Sequence, residues 1–204
     1  MERQLNSTEP QTSVTEELAR LREENEQLKS SLQRMAGLAY RDPLTGLRNR
    51  RYFDERLEEE MARLRRVGSL SLSLMVIDLD GFKHVNDTFG HAAGDRVLIW
   101  VAEFLRAHVR FSDPCCRFGG DEFVLLLPDT TAEGCATLAQ NLSTQLDACR
   151  TRGEAAVGFS IGCATSRRPD SPGELIARAD ASMYEDKRAR HAVIPLRPRA
   201  SFAA

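Results

Sequence analysis

Acidic residues fall in two short segments of the sequence where carboxylates could act together. Asp78 and Asp80 close an apolar run that begins at Leu70, and Asp121 and Glu122 follow a pair of glycines. Carboxylates that converge repel one another and raise each other's pKa, so such a group needs a neutralising cation. Oxygen ligands without His or Cys favour a hard ion such as Mg²⁺, which proteins hold with one or two carboxylates and substrate phosphates. Taken singly, each segment also fits solvated acids at a strand end or an ordinary hairpin.

The periodicity of apolar residues indicates which elements must position these acids. The run 70–77 changes from strict alternation to continuous apolar residues, which predicts a strand that enters a core. Gly119 and Gly120 lie between two further apolar runs and predict a hairpin, because glycine adopts positive φ without steric strain. Helices are predicted over 50–66, 93–109, 131–150 and 171–190, and further strands over 115–118, 123–127, 155–165 and 193–194.

The order of these elements predicts the fold. A β-α-β-β-α-β order, with extra helices before and after it, is that of an α+β, ferredoxin-like or palm-type domain, in which flanking helices cover a central antiparallel sheet. In this order the first strand lies beside the hairpin. The carboxylates of Asp78 and Asp121 are therefore expected to converge on one point.

Residues 14–39 carry a heptad pattern. Two interleaved series recur every seven positions, namely Val14, Leu21, Leu28 and Met35, and Leu18, Asn25, Leu32 and Ala39. A single asparagine at an a position favours a parallel pair of helices, because its amide can bond to the same residue of the partner. Glu17 and Glu24 at g positions also face Arg22 and Lys29 at e positions of a parallel partner. The pattern predicts a dimeric coiled coil; a lone amphipathic helix packed on its own domain is the alternative.

Composition excludes several classes of protein. The chain has 204 residues, and 28 Lys plus Arg against 30 Asp plus Glu give a net charge of −2, which is not the basic balance of a surface that binds nucleic acid. The longest apolar run, 97–102, is far shorter than the roughly 20 residues of a membrane helix. Five cysteines without a C-x-x-C pair fit neither a disulfide framework nor a zinc site. We expect a cytoplasmic protein with neither a nucleic-acid nor a membrane partner.

The organisation expected from these patterns has four parts. Residues 1–13 are polar and form a disordered tail, 14–39 form the parallel coiled coil, 40–194 form the globular domain, and 195–204 form a flexible tail.

Several segments resemble, in the right order, the motifs of the GGDEF-domain diguanylate cyclase family. The segment Arg117-Phe-Gly-Gly-Asp-Glu-Phe123 carries the signature of that family. The other segments that match are Asp42-Pro-Leu-Thr-Gly-Leu-Arg-Asn-Arg50, Asp78-Leu-Asp-Gly-Phe-Lys-His-Val-Asn-Asp-Thr-Phe-Gly-His91 with Gly94-Asp95, and Ala179-Asp-Ala-Ser-Met-Tyr-Glu-Asp-Lys187. The resemblance covers about residues 38–194.

The resemblance implies condensation of two GTP molecules into cyclic di-GMP with release of pyrophosphate. Because each domain holds one GTP, two domains of a homodimer must face each other across the bond that forms. The implied metal ligands are Asp78, the backbone carbonyl of Leu79 and Asp121, with Mg²⁺ as the ion and Mn²⁺ as an alternative. The implied catalytic residues are Asp121, Glu122 and Lys83. Of these, Asp121 is also a candidate to accept the proton of the attacking 3′-hydroxyl, and Lys83 would neutralise the triphosphate.

The family also implies substrate-binding positions. They are Asn86, His91, Asp95, Gly119, Gly120, Lys187 and Arg190. An aspartate at 95 can accept hydrogen bonds from N1–H and N2–H₂ of guanine, which favours GTP over ATP. The segment Lys187-Arg-Ala-Arg-His191 departs from the family, because it lacks a glycine and is one residue shorter, so Arg190 would bind phosphate from a shifted position. Asn86 and His91 could instead have structural roles, as a turn cap and a buried donor.

The segment Arg110-Phe-Ser-Asp113 matches the R-x-x-D product-inhibition site of the family, and five residues separate it from Gly119. An arginine can bind a guanine edge or a phosphate with two hydrogen bonds, and an aspartate can accept from guanine nitrogens. The implied ligand is cyclic di-GMP; a surface ion pair is the alternative.

Two other functions fit the same sequence. A catalytically silent domain could act as a receptor for cyclic di-GMP or GTP, although the acids at 78, 121 and 122 and Lys83 favour an enzyme. A scaffold that recruits a partner through its coiled coil would not need those residues.

Overall fold

The computed structural model describes residues 14, 16–27, 29, 39–67, 70–167 and 170–193, with side chains up to 190. The chain divides into two units, Met1–Tyr40 and Arg41–Ala204. The first contains helix α1, residues 16–27, which lies within the predicted heptad segment. The seam residues Leu28, Leu32 and Met35 and the two predicted tails lie outside the described residues.

The second unit holds the remaining elements. They are β1 Arg48–Asn49, α2 Arg50–Arg66, β2 Leu72–Asp80, α3 Phe82–Phe89, α4 His91–His108, β3 Cys115–Gly119, β4 Glu122–Pro128, α5 Ala132–Thr151, β5 Gly158–Thr165 and α6 Pro172–Val193. The sheet has the order β1-β3-β4-β2-β5. All neighbouring strands are antiparallel except β1 and β3. The predicted α+β fold is therefore confirmed, with β2 between β4 and β5 in the β-α-β-β-α-β sheet.

Strand β2 is buried on both faces because helices cover both sides of the sheet. Alternate side chains of a strand point to opposite faces. Those of β2 enter two hydrophobic clusters, with Met75, Ile77 and Leu79 in one and Leu72, Leu74 and Val76 in the other. The first cluster also contains residues of α4 and α5, and the second contains residues of α2 and α6. Burial on both faces explains why the apolar run of this strand is continuous.

The structure differs from the sequence prediction at three places. Helix α3 was not predicted, because its eight residues between Gly81 and Gly90 are too few to show a clear period. The two-residue strand β1 was also missed. Val193 was predicted in a last strand, which is wrong because it belongs to α6. Ile194 lies outside the described residues.

Helix α6 approaches β5 closely at Gly162. A Cβ atom at this position would lie 2.1 Å from the carbonyl oxygen of Ala179 and 2.2 Å from the backbone nitrogen of Met183. The backbone N–H of Ile161 also donates to the Asp186 carboxylate at 2.9 Å. Absence of a side chain at 162 thus lets the C-terminal half of α6 pack against the sheet beside the end of β2.

Within the described part of the chain, no helix combines the length and the apolar character needed to cross a membrane. The five cysteines are free thiols.

Candidate active site

The end of β2 and the β3–β4 hairpin bring acidic side chains together, as the strand order predicts. In the antiparallel ladder Asp78 lies opposite Glu122 of β4, and Asp121 precedes Glu122 at the tip of the hairpin. Asp78 is only 8% exposed. Leu79 follows it in β2, so its backbone lies at the same end of the strand. These positions agree with the convergence expected for the implied metal ligands.

Lys187 of α6 places a positive charge on this acidic group. Its Nζ donates a hydrogen bond to Oδ1 of Asp78 at 2.6 Å, and the lysine side chain is about one third exposed. Burial lowers the pKa of Lys187, but the hydrogen bond that Lys187 donates to Asp78 and the charges of Asp78, Asp80 and Asp121 outweigh burial and raise it. The ammonium therefore stays charged at neutral pH.

Negative charge is concentrated at the hairpin tip. The pKa of Asp121 is raised by burial first and by the charge of Asp78 second, while Lys187 and Arg117 act in the opposite direction. The pKa of Glu122 is raised by burial and then by three other carboxylates, those of Asp78, Asp121 and Asp180. Carboxylates that repel one another in this way fit a site for a cation.

The donor set fits a hard divalent ion only if the substrate supplies further ligands. Within the described residues, no three His, Cys, Asp or Glu side chains are arranged to hold a metal ion by themselves. The oxygen donors offered here are the carboxylates of Asp78 and Asp121 and the backbone carbonyl of Leu79. Mg²⁺ is commonly bound through one or two carboxylates together with waters and phosphates, which is what such an incomplete set permits.

Asp80, the second acid at the end of β2, is hydrogen-bonded to β5, the neighbouring strand on the side away from the hairpin. Its Oδ1 accepts a hydrogen bond from the Ser160 hydroxyl of β5 at 2.7 Å. Gly158 leaves room beside it, since a Cβ there would lie 3.1 Å from the Asp80 carboxylate. Because β5 and β4 flank β2 on opposite sides, this contact directs Asp80 toward the strand that lies away from the hairpin.

The residues implied in nucleoside binding lie on α3 and α4. His91 and Asp95 are exposed and one turn apart at the start of α4, so they share a face of that helix. Asn86 of α3 packs against the same helix, because a Cβ at Gly94 would lie 2.0 Å from its Oδ1 atom. Lys83 is exposed in the first turn of α3. Asn86, His91 and Asp95 thus lie near the α3–α4 junction, and Lys83 lies one turn before Asn86 on α3.

Arg190 of α6 is already paired. Its Nε donates to the Asp186 carboxylate at 2.8 Å, one helical turn away. Asp186 in turn holds the Ile161 N–H of β5. The role of Arg190 in binding phosphate stays a prediction.

The R-x-x-D segment forms a tight turn before β3. The Asp113 N–H donates to the Arg110 carbonyl at 3.0 Å, and the Arg110 N–H donates to the Asp113 carboxylate at 3.3 Å. Asp113 is buried, and burial raises its pKa. Arg110 is exposed, and the ring of Phe111 between them is completely exposed. The observed contact between the two residues thus runs through the arginine backbone.

Arg117 is a residue of the hairpin to which the sequence motif gave no role. Its Nε and Nη2 donate to the carbonyl oxygen of Gly120 at 3.1 and 2.8 Å. Its Nη1 lies 3.2 Å from each carboxylate oxygen of Asp42. The only indication in the sequence was that Arg117 opens the motif segment, two positions before Gly119.

Comparison with known proteins identifies the family. Residues 39–192 match the family described as "Diguanylate cyclase, GGDEF domain". The chain therefore belongs to the GGDEF-domain family. It is 45% identical over 157 residues to the diguanylate cyclase DgcP of Pseudomonas aeruginosa, a match that covers 74% of this chain and 23% of that protein. It is 38% identical over 174 residues to the response regulator PleD of Caulobacter vibrioides, covering 82% of this chain and 38% of that one. The chain thus spans well under half of the length of both relatives.

Solved structures show the same fold. The coiled coil and GGDEF domain of DgcB from Caulobacter crescentus, in complex with c-di-GMP, matches with a TM-score of 0.76 at 31% identity, and covers 87% of this chain and 95% of that one. The diguanylate cyclase SiaD of Pseudomonas aeruginosa, in complex with its activator SiaC, matches with a TM-score of 0.69 at 38% identity, and covers 88% of this chain and 70% of that one.

Proposed function

We propose that this protein is a diguanylate cyclase that converts two GTP into cyclic di-GMP and two pyrophosphates across a homodimer. The observation that carries the proposal is the register of β2 and β4, which brings Asp78 and Asp121 to one end of the sheet with the Lys187 ammonium beside them. The named activities of relatives such as DgcP support it. Use of GTP also favours a cytoplasmic location.

Two carboxylates would bind the metal ion at the triphosphate, and two lysines would contact its phosphate oxygens. Asp78, Asp121 and the Leu79 carbonyl would hold Mg²⁺, or Mn²⁺ in its place. When bound, this ion would neutralise the phosphates and stabilise the charge that develops on the leaving pyrophosphate. Lys187 and the exposed Lys83 provide compact positive charges for the phosphate oxygens.

Proton removal from the attacking 3′-hydroxyl needs an acceptor at the hairpin tip. Asp121 and Glu122 are the carboxylates there, and both have a pKa raised by burial and by neighbouring acids. A carboxylate at the hairpin tip can accept this proton if it lies within hydrogen-bond reach of the hydroxyl. We assign the role to this pair of residues.

Guanine recognition falls to the α3–α4 junction. Asn86, His91 and Asp95 surround this junction, and the Asp95 carboxylate can accept from N1–H and N2–H₂ of guanine. Adenine lacks both donors in that arrangement, so Asp95 would select GTP. Gly119 and Gly120 leave space for the phosphates beside the hairpin.

The homodimer follows from the reaction. One domain offers one nucleotide site, and the 3′-oxygen of its GTP must reach the α-phosphorus of a second GTP on another domain. The exposure of seam residues supports pairing through residues 14–39, because Val14, Leu18 and Leu21 are 59, 49 and 49% exposed in the single chain. Apolar side chains with this spacing are buried when two such helices associate.

Product inhibition is proposed at the turn that holds Arg110 and Asp113. The hydrogen bond to Asp113 is donated by the backbone N–H of Arg110, so the exposed guanidinium can turn toward a ligand. Cyclic di-GMP offers both a guanine edge and phosphates for such a side chain.

The test is incubation of the purified chain with GTP and Mg²⁺, followed by separate assays for pyrophosphate and cyclic di-GMP. We expect two pyrophosphates for each cyclic di-GMP from the wild type, and neither product from the Asp121→Asn variant. Binding of GTP or cyclic di-GMP without turnover would instead identify a receptor. Failure to bind either nucleotide would identify a scaffold and contradict the proposal.

A further inference from the structure

The Arg117 guanidinium joins two parts of the domain that are far apart in the sequence. One edge of the group donates twice to the Gly120 carbonyl, at 3.1 and 2.8 Å, and the remaining nitrogen lies 3.2 Å from both oxygens of Asp42. The side chains of Arg117 and Asp42 are only 13 and 18% exposed. A planar guanidinium held on two sides with little exposure has a single orientation.

The Gly120 carbonyl belongs to the peptide that joins Gly120 to Asp121. The backbone at Gly120 has a φ of 52°, and the β3–β4 ladder shifts register between Arg117 and Gly119. Regular ladder pairing is thus interrupted where the hairpin turns. Two hydrogen bonds from Arg117 replace it and set the plane of the peptide from which Asp121 projects.

Asp42 is held as firmly on its own side. Its Oδ1 accepts from the Thr45 N–H at 2.8 Å and from the Thr45 hydroxyl at 2.7 Å. Burial raises the pKa of Asp42, but the hydrogen bonds from Thr45 and Arg117 and the charge of Arg117 outweigh it and lower the pKa. The carboxylate is therefore ionised and fixed when it meets the guanidinium. Asp42 also belongs to the turn that opens the second unit, directly after Arg41.

We propose that Arg117 is a positioning residue for Asp121 and that Asp42 acts through it, so that the turn 42–46 and the hairpin tip form one unit. The proposal rests on the cyclase activity proposed above, in which Asp121 holds the metal ion and belongs with Glu122 to the pair that accepts the proton. It adds two residues that touch neither the nucleotide nor the ion. It also gives the segment that follows residues 14–39 a direct connection to the reacting hairpin.

The test compares Arg117→Lys and Asp42→Asn with a control on the same turn. A lysine reaches either the Gly120 carbonyl or Asp42 but not both, and an asparagine keeps an acceptor for Thr45 while it removes the charge. Arg106→Lys is the matched control, because Arg106 donates to the Thr45 carbonyl at 3.2 Å from another side. Its contact stabilises the same turn without reaching the hairpin.

Each test variant should lower kcat roughly tenfold with less than a twofold change in KM for GTP, which is the size of effect of residues that orient a ligand. Arg106→Lys should leave both constants near those of the wild type. The double variant Asp42→Asn with Arg117→Lys should lose no more than Arg117→Lys alone, because Asp42 acts through Arg117. Additive losses, or a change in KM alone, would overturn the proposal.

Amide hydrogen exchange separates this proposal from the proposed function, since it needs no turnover. The amides of 119–122 should exchange faster in Arg117→Lys and in Asp42→Asn than in the wild type or Arg106→Lys. Unchanged exchange in these variants would contradict the proposal even in an active enzyme. If the wild type had no cyclase activity but exchange in the two variants still rose as expected, the positioning role would stand. Only the assigned reaction would then be refuted.

Discussion

Asp78 and Lys187 are 109 positions apart in the chain and meet with 2.6 Å between Oδ1 and Nζ. The contact joins the end of β2 to α6 and is the point at which the last helix reaches the acidic group. It gives Lys187 a defined place among the proposed phosphate ligands.

Lys187→Met should raise KM for GTP roughly tenfold or more, because it removes a positive charge from the phosphate site and leaves Asp78 without its partner. Steady-state kinetics over a wide range of GTP concentrations would measure this change. Lys29→Met, in the exposed Lys29–Glu26 pair of residues 14–39, is the control and should change little. Equal effects of the two substitutions would contradict the assignment of Lys187.

Arg190→Met tests the shifted phosphate position. Arg190 is bonded to Asp186. If it also binds phosphate, its loss should raise KM for GTP, but by less than the loss of Lys187, whose ammonium lies at the acidic group. An unchanged KM, with unchanged thermal stability, would show that Arg190 serves only the ion pair.

Asp78→Asn and Asp121→Asn should each reduce cyclase activity by roughly 100-fold or more, since each removes a proposed metal ligand from an otherwise unchanged backbone, and loss of even an outer-shell partner of such a ligand typically costs about 10- to 100-fold. Circular dichroism and thermal unfolding should show an intact fold. Asp129→Asn at the opposite end of β4, where Asp129 pairs with Arg63, is the matched control and should retain activity. Near-normal turnover of the Asp78 or Asp121 variant would refute the proposed metal site.

The convergence of acids was predictable because topology decides it. Once β2 and the hairpin are neighbours, the antiparallel register places residue 78 opposite residue 122. Hydrophobic periodicity also located α2 and α4–α6 to within a few residues. Helix α3 and strand β1 were not predicted, because segments of eight and two residues are too short to show a clear hydrophobic period.

Contacts between side chains from distant segments were not predictable from periodicity. The pairing of Lys187 with Asp78 depends on how closely α6 approaches β5, which the missing side chain of Gly162 allows. The pairing of Arg117 with Asp42 spans 75 positions and depends on where the turn 42–46 lies against the hairpin. Sequence motifs marked these residues, whereas only the fold shows which of them touch.

Arg110→Ala should leave the initial rate nearly unchanged and delay the slowing of the reaction as product accumulates, because the R-x-x-D turn precedes β3 and is separate from the hairpin tip. Added cyclic di-GMP should inhibit the variant at least tenfold less strongly than the wild type if the arginine makes a bidentate contact. Arg152→Ala removes another exposed arginine, which pairs with Glu154, and should leave inhibition intact. Unaltered inhibition of the Arg110 variant would leave that residue without a role in product binding.

Asp42→Asn should lower the free energy of unfolding by about 2 kcal/mol at pH 7, the size expected for hydrogen bonds to a charged group. The folded protein lowers the pKa of Asp42, so the stability that it adds is present above its unfolded pKa of about 4 and is lost as pH falls through the folded pKa. The unfolding free energies of the wild type and the variant should therefore differ fully at pH 5–8 and converge only as the pH falls from about 4 through the lower folded pKa of Asp42. A difference that persists unchanged at low pH would show that the charge of Asp42 is not the cause.

Asn25→Leu tests whether residues 14–39 pair two chains. An apolar residue at this a position should strengthen association and loosen the choice of register and oligomer number. Glu23→Leu adds the same side chain at an f position outside the seam and is the control. Sedimentation should show a tighter or larger assembly only for the first variant.

Removal of residues 1–37 should lower specific activity most at low protein concentration, since the seam raises the effective concentration of the second domain. A monomeric full chain at micromolar concentration, with the same dependence of activity on concentration as the shortened chain, would refute the pairing and with it the proposed way in which two GTP molecules meet.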